Sequence, residues 1–337
     1  MQPNSPLTPD RLVQLAWGFA PTFVIEAAVH HRLFDRLAVR PLTLAELAAE
    51  TGASPRGLTA ILNALVGLGL LARDGEQLRL TPESAAYLVS SSPEFRGHFF
   101  HHLREQLFPQ WMELREVVRT GQPATVTNRQ SDGAAYFAGF VESLFPVSFA
   151  AATRLGGHLG VATATAPVSV LDLGAGSGVW GIALALLSPH VRIRAVDWPK
   201  VLEITRSVAA RHGVAERLTV AAGDLFDADF GQGHHVATLG HILHSEGRER
   251  NRLLLRKTFQ ALAPGGVIAI QEFVPNDERT GPVAPLMFAV NMLVNSEAGE
   301  TYTFAEMSAW LREAGFVRPR LLEVPAVSPL VLADKPA

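Results

Sequence analysis

Hydrophobic residues recur along this chain with two different periods, and the change falls near residue 168. Over residues 8–120 the apolar positions follow helical spacing. Thr8 before Pro9 in "TPDRLVQLAW" marks a first helix start. The segment "LTLAELAAETGASPRGLTAILNAL" predicts a short amphipathic helix over Leu44–Thr51, a break at Gly52, and a second helix from Ser54-Pro55. Leu58, Ile61, Leu62 and Leu65 share one face of that second helix. The next stretch, "LLARDGEQLRLT", splits around Asp74-Gly75 into two short runs, a hairpin signal. Residues 121–135, "GQPATVTNRQSDGAA", read as a surface loop and 163–167 as a second connector. From Val168 strand and helix alternate. "VSVLDL", "VRIRAVD", "RLTVAAGD", "HHVATLGHIL" and "GVIAIQE" predict strands, with helices over "VWGIALALLS", "WPKVLEITRSVAARHG" and "RERNRLLLRKTFQAL" between them. That succession predicts an α/β domain with a doubly wound sheet, whose ligands sit at the carboxyl ends of the strands.

Length and charge narrow this picture. At 337 residues two domains are expected. The breaks place a helical domain over 1–120, a linker and connecting helix over 121–167, and an α/β domain over 168–337. A content of 48% hydrophobic and 18% charged residues is that of a globular protein. The net charge of −3 gives no electrostatic draw toward nucleic acid or an anionic membrane. The absence of cysteine excludes disulfides, thiolate metal sites and a thiol nucleophile. No basic-then-apolar leader is read at the N-terminus. The apolar run closest to a membrane span, "AWGFAPTFVIEAAV", is interrupted by Pro21 and Glu26. A cytoplasmic protein is therefore expected, without a membrane partner. Helix–turn–helix plus hairpin is a winged-helix pattern, yet residues 41–90 hold three basic residues (Arg56, Arg73, Arg79) against five acidic ones (Glu46, Glu50, Asp74, Glu76, Glu83). A DNA-reading helix needs cations to meet phosphates. This surface suits packing against protein, so the module reads as a dimerisation platform.

The end of the first strand of the α/β domain carries the main chemical signal. "LDLGAGSG" follows that strand and opens a helix, with Gly174, Gly176 and Gly178 permitting a tight turn and close backbone approach to a ligand. A dinucleotide fingerprint starting at Gly174 would need glycine where Val179 stands. Asp172 precedes the glycines, where it disfavours a pyrophosphate and could orient an ammonium group. Asp197 ends the second strand about 20 residues on, the place of a carboxylate that accepts ribose hydroxyls. Asp224 ends the third strand, placed to meet an adenine amine. Acids without a phosphate clamp suit a cationic adenosine ligand, S-adenosylmethionine. Trp198, Leu225 and Gly240 complete the candidate cofactor set.

The motifs "VLDLGAGSG", "VDWPKVL", "AGDLF", "ILHSEG", "ALAPGG" and "QEFVPN" occur in the order and spacing of the caffeic-acid-type O-methyltransferases. The chain resembles that family, and in particular its bacterial branch, which includes hydroxyneurosporene and antibiotic-tailoring methyltransferases. The N-terminal half resembles the same family's dimerisation domain. The resemblance implies a Rossmann-like seven-stranded class I methyltransferase domain, with an antiparallel last strand among "FVRPRLLEV" and "SPLVLAD", preceded by a winged-helix dimerisation domain. It also implies a homodimer and S-adenosylmethionine as methyl donor. His244 matches the family's catalytic histidine, suited to taking a proton from a phenol-like hydroxyl. Glu272 matches one of the glutamates that flank that histidine in the plant enzymes. The second flanking position falls on Thr301, with Glu300 beside it. Ser245-Glu246 stands where the plant enzymes carry Asp-Trp.

His241 reads as a packed or hydrogen-bonded scaffold histidine. Met287, Phe288, Asn291 and Met292 fall at helical spacing on a face that could roof the cleft, with Trp111, Phe137, Phe140 and Phe145 as further aromatic wall candidates. Most of the methionine and aromatic stripe reads as core. Asn291 is the exception, since a buried amide needs a partner. His98, His101 and His102 have no acid or cysteine nearby in sequence to complete a metal site, and none is expected. The reading is an O-methyltransferase acting on a hydroxylated, aromatic or polyketide-like small molecule. The alternatives are transfer to carbon or nitrogen, a member that transfers no methyl, or a DNA-binding regulator.

Overall fold

The structure, a computed structural model, describes residues 7–92, 94–127 and 141–337. Phe137 and Phe140 lie outside the described residues. The chain divides into two compact units, Met1–Phe108 and Pro109–Ala337.

The first unit is mostly helical. Helices α1 (Asp10–Ala16), α2 (Ala20–His30) and α3 (Leu33–Val39) lead to a short strand β1 (Leu42–Thr43). Helix α4 (Leu44–Thr51) starts at a capping box, Thr43 with Glu46, and stops where Gly52 takes a left-handed φ of 69°. Helix α5 (Pro55–Gly67) starts at the Ser54 cap with Pro55 in its first turn, as its sequence predicts. Strands β2 (Leu71–Asp74) and β3 (Gln77–Leu80) pair antiparallel, and β1 joins the outer edge of β3. Helix α6 is Pro82–Tyr87 and α7 is Gly97–His102. Leu58, Leu62 and Leu65 bury one face of α5 against Phe34, Leu47 and Leu78. Ile61, expected on that face, is half-buried at its margin.

One expectation is corrected here. Asp10–His30 is long and apolar enough, by length and composition, to cross a membrane. Pro21 does not interrupt it, because it sits in the first turn of α2, where its missing N–H costs nothing. Glu26 is buried among protein groups, with His101 and Arg104 each at 3.5 Å.

The second unit begins one residue into α8 (Phe108–Met112) and continues with α9 (Leu114–Thr120), followed in the described residues by α10 (Val141–His158). Its sheet has seven strands in the order β6-β5-β4-β7-β8-β10-β9. These are β4 (Val168–Leu173), β5 (Val191–Asp197), β6 (Leu218–Ala222), β7 (His234–Gly240), β8 (Leu262–Gln271), β9 (Val317–Leu322) and β10 (Leu330–Asp334). The last strand, β10, runs antiparallel to both of its neighbours. Helices α11 (Val179–Leu187), α12 (Pro199–Arg211), α13 (Arg248–Ala261), α14 (Val283–Asn295) and α15 (Phe304–Glu313) complete the unit. Separate apolar clusters form on the two faces of the sheet, one with α10 and α11, the other with α13 and α15. Strand β4 alternates between them: Val170 belongs to the first and Leu171 and Leu173 to the second. The strand order reverses between β4 and β7, the crevice where such folds bind ligands.

The core of the first unit makes a direct prediction. Leu62 is 1% exposed, so Leu62→Ala should lose about 3 kcal/mol through lost transfer energy plus a residual cavity. A urea midpoint for the first unit indistinguishable from wild type would refute that packing.

Candidate active site

Strands β7 and β8 pair with Gly240 opposite Gln271, so the residues just past both strand ends emerge side by side. Those residues are His241 and Glu272. A 3-10 turn over Leu243–Ser245 then brings His244 back onto Glu272. His244 Nδ1 donates to Glu272 Oε2 over 2.7 Å, and the His244 backbone N–H donates to Glu272 Oε1 over 3.2 Å. Both residues are buried, at 7% and 2% exposure. Burial alone pushes the Glu272 carboxyl up, but the facing His244, its two hydrogen bonds and nearby His241 outweigh this and hold it below its ordinary value. With Nδ1 committed to the carboxylate, Nε2 is the nitrogen left to take a proton.

The histidine turn is fastened from several directions. The Glu300 backbone N–H donates to the His244 carbonyl over 2.9 Å. Asn251 Nδ2 donates to the carbonyls of Leu243 (2.9 Å) and Glu246 (3.2 Å), and Tyr302 Oη to that of Glu246 (2.6 Å). Gly299 permits the first of these contacts, since a Cβ there would lie 2.4 Å from the His244 carbonyl oxygen. The Glu300 carboxylate turns to Arg248 and Arg279, at 3.0 and 3.1 Å. Thr301 is buried and its Oγ1 has no partner among the described residues. Neither residue bonds the imidazole.

His241 lies past the end of β7 in a left-handed conformation, φ 61°, uncommon for a residue with a side chain. Its ring packs 5.0 Å from Phe273 and 6.0 Å from His244, and burial pushes its pKa down to about 4. His241, His244 and Glu272 bring three metal-capable atoms within 4.8 Å of one another, a juxtaposition that the sequence reading, with no metal expected, did not foresee. His101 meets an acid too, Glu26, from 75 residues earlier in the chain.

The cofactor candidates gather around the carboxyl ends of β4, β5 and β6. Gly174, Gly176 and Gly178 all have positive φ (59°, 55° and 77°), which a side chain would strain. Asp197 Oδ2 accepts from the Gly176 N–H at 2.8 Å and Oδ1 from the Trp198 N–H at 2.7 Å. Burial raises the Asp197 carboxyl to about 6 even so. Asp224 Oδ1 accepts from the Phe226 N–H, and Lys257 Nζ fastens the same loop through the carbonyls of Leu225 (2.9 Å), Phe226 (2.9 Å) and Ala228 (2.6 Å). The half-buried Leu225 lies in this loop. Half-buried carboxylates beside a glycine cradle, with Arg250 no nearer than 3.8 Å to Asp224, fit a nucleoside carrying positive charge.

Asp172 has other partners than the ammonium group expected of it. It is fully buried, Oδ2 accepting from the Gly181 N–H (3.0 Å) and Oδ1 from Thr238 Oγ1 (2.8 Å). It ties α11 and β7 to β4 beneath the glycine turn. Gly240 likewise answers to packing: a Cβ there would lie 2.1 Å from Trp180 Nε1.

Among the acceptor-wall candidates, the structure joins Trp111 to Asn291, with Trp111 Nε1 donating to Asn291 Oδ1 over 2.9 Å. Asn295 Nδ2 donates to the same oxygen over 3.0 Å, so the Asn291 amide oxygen finds its partners within the protein. Phe288 sits edge-on to His244 at 4.8 Å and stacks on Phe273 at 3.9 Å. Met292 is core, whereas Met287 is half-exposed, so the four-residue stripe does not act as one face. Phe145 packs elsewhere, stacked between Phe149 and His212. Phe273 was missed in the sequence, although it follows Glu272 directly in "QEFVPN".

The doubly wound sheet with one antiparallel strand, the glycine cradle walled by acids and the buried imidazole–carboxylate pair agree with an S-adenosylmethionine-dependent methyltransferase. Comparison with known proteins gives the particular family. Residues 161–317 match an O-methyltransferase domain and residues 13–90 an O-methyltransferase dimerisation domain. The chain is 31% identical to the tetracenomycin polyketide synthesis 8-O-methyl transferase TcmO of Streptomyces glaucescens, over 97% of each chain. It is 32% identical to the 3-hydroxy-5-methyl-1-naphthoate 3-O-methyltransferase of Streptomyces sahachiroi, over 91% of this chain and 89% of the relative. The solved structure of PigF with SAH, a methyl transferase of Serratia sp., superposes with a TM-score of 0.84 at 25% identity, covering 98% of this chain and 100% of that one. The chain belongs to the O-methyltransferase family.

Asp172 generates a pH prediction. Burial lifts its carboxyl from 3.8 to about 7, with its hydrogen bonds opposing and Asp197 adding to the lift. The folded state therefore holds a proton that the unfolded chain releases, and this contribution to stability is lost as pH rises from about 4 to about 7. Asp172→Asn removes that titration. The stability of wild type relative to the variant should fall by a few kcal/mol, to order of magnitude, across this window. Denaturant unfolding at pH 4, 5.5 and 7 measures it, and a constant difference would disprove the burial argument.

Proposed function

We propose that the protein moves the methyl group of S-adenosylmethionine to a hydroxyl of a small aromatic or polyketide-like acceptor, with His244 as general base. The observation that carries this reading is the buried 2.7 Å hydrogen bond from His244 Nδ1 to Glu272. That bond fixes the ring and its tautomer and would stabilise the imidazolium formed when Nε2 takes the acceptor's proton. When bound, the cofactor supplies an electrophilic methyl group on a sulfonium. What the chain adds is alignment, exclusion of water and a place for the proton. Gly174, Gly176, Gly178, Asp197, Trp198, Asp224 and Leu225 are assigned to the cofactor. Asp172 and Gly240 keep a supporting role, since their contacts are internal.

Phe288, with Phe273, Trp111 and Asn291, is assigned to the acceptor side. The planar aromatic nature of that wall agrees with two relatives whose names carry a polyketide and a naphthoate. In keeping with them, we place the protein in the bacterial small-molecule branch. The apolar residues left exposed on the first unit, including Leu12, Leu15, Trp17 and Phe19, support a homodimer that buries them. Residues 168–337 are read as the catalytic domain.

His244→Ala should lower kcat by about 10²–10⁴ while S-adenosylhomocysteine affinity, read by calorimetry, moves less than about threefold. A variant that keeps near-wild-type turnover would sink the base assignment. Asp197→Ala should weaken that affinity by at least about tenfold through lost charge-assisted bonds. An unchanged dissociation constant would remove Asp197 from the cofactor site.

A further inference from the structure

The reaction proposed at His244 leaves its neighbour His241 without a role. His241 is not a relaxed scaffold residue. Its φ of 61° holds it in the left-handed region, anchored by its backbone N–H on the Gln271 carbonyl at 2.8 Å. Its Nδ1 is buried and makes no hydrogen bond of normal geometry among the described residues, the Gln271 side chain being a polar neighbour of the ring. A buried imidazole nitrogen without a partner is costly to keep in a protein interior unless something else meets it. A nitrogen of His241 also comes within 4.8 Å of a nitrogen of His244 and an oxygen of Glu272.

The geometry points to a second contact with the methyl acceptor: His241 hydrogen-bonds an oxygen beside the hydroxyl that His244 deprotonates. The acceptor class is then an aromatic ring with oxygens on neighbouring or peri carbons. This rests on the reading of His244 as the base. Two oxygens so placed stand about 2.7 Å apart, the span of a short hydrogen bond. Two imidazoles with ring centroids 6.0 Å apart can each meet one of them. A neutral imidazole accepts from a hydroxyl or donates to a carbonyl, so diols and hydroxy-ketones belong to one class. Phe273 and Phe288, stacked at 3.9 Å, border both histidines and offer the planar surface such a ring would lie against.

The test compares 2,3-dihydroxynaphthalene with 2-naphthol. Dissociation constants are measured by calorimetry on the full chain saturated with S-adenosylhomocysteine, and kcat/KM with S-adenosylmethionine. Wild type should prefer the diol by tenfold or more. His241→Phe keeps a ring against Phe273 but removes both nitrogens, and should bring the ratio of the two acceptors close to one. His241→Asn tolerates the left-handed backbone and retains a donor and an acceptor, so it should restore part of the preference. A wild-type ratio near one, a ratio that survives in His241→Phe, or a diol that fails to bind would each overturn the contact. Failure of S-adenosylhomocysteine to bind, or full activity in His244→Ala, would instead remove the reaction at His244, and this contact with it.

Discussion

Glu272 stays ionised inside the protein because His244 meets it, and that meeting depends on the register of two neighbouring strands. Gly240 stands opposite Gln271, so the chain leaves β7 and β8 at the same level. A one-residue slip would turn the side chains of one strand to the other face of the sheet and part the carboxylate from the imidazole. A buried charge without its partner costs several kcal/mol, to order of magnitude. The pair therefore both depends on the register and penalises any other. The bonds on the turn after β7, from Asn251, Tyr302 and the Glu300 backbone, keep the imidazole from escaping that geometry.

The acids at the strand ends divide the remaining work by depth. Asp172 lies at the bottom, both oxygens used to join three elements of the scaffold. Asp197, one strand over, uses its oxygens to shape the glycine turn and stays half-buried. Asp224 sits on a loop whose carbonyls a lysine gathers. A cationic nucleoside would find carboxylates at its rim and a backbone cradle beneath. A pyrophosphate would find the wrong sign of charge.

Much of this was legible because it rests on period and on glycine. Strands buried on both faces, the cap at Ser54, the αL stop at Gly52 and the left-handed glycines are local consequences of residue type. The identities of His244 and Glu272 came from resemblance, and only the fold brings residues 28 positions apart to 2.7 Å. What failed was direction. Sequence places Asp172 at a strand end, but strand alternation and the bond to Thr238 turn it inward. Helical spacing grouped Met287 with Phe288, though adjacent helical positions point about 100° apart: Phe288 packs on His244 while Met287 is half-exposed. Pro21 looked like a break because its place in the first turn of α2 depends on where that helix begins. Phe273 gave no periodic signal at all, since it follows the strand rather than belonging to it.

Glu246, two residues after His244, ties the histidine turn to the loop that carries Asp224. Glu246 is buried and paired with Arg250 one helical turn later, at 2.5 Å. The same guanidinium lies 3.6 Å from the centre of the Phe226 ring and 3.8 Å from Asp224. A planar guanidinium can stack and form ion pairs at once, which neither an ammonium nor an indole does. One side chain thus meets both the residue two positions after His244 and the carboxylate proposed for the nucleoside. Anything that shifts the Asp224 loop shifts a partner of Glu246. The His244 turn and the Asp224 loop thus share Arg250 as a common partner.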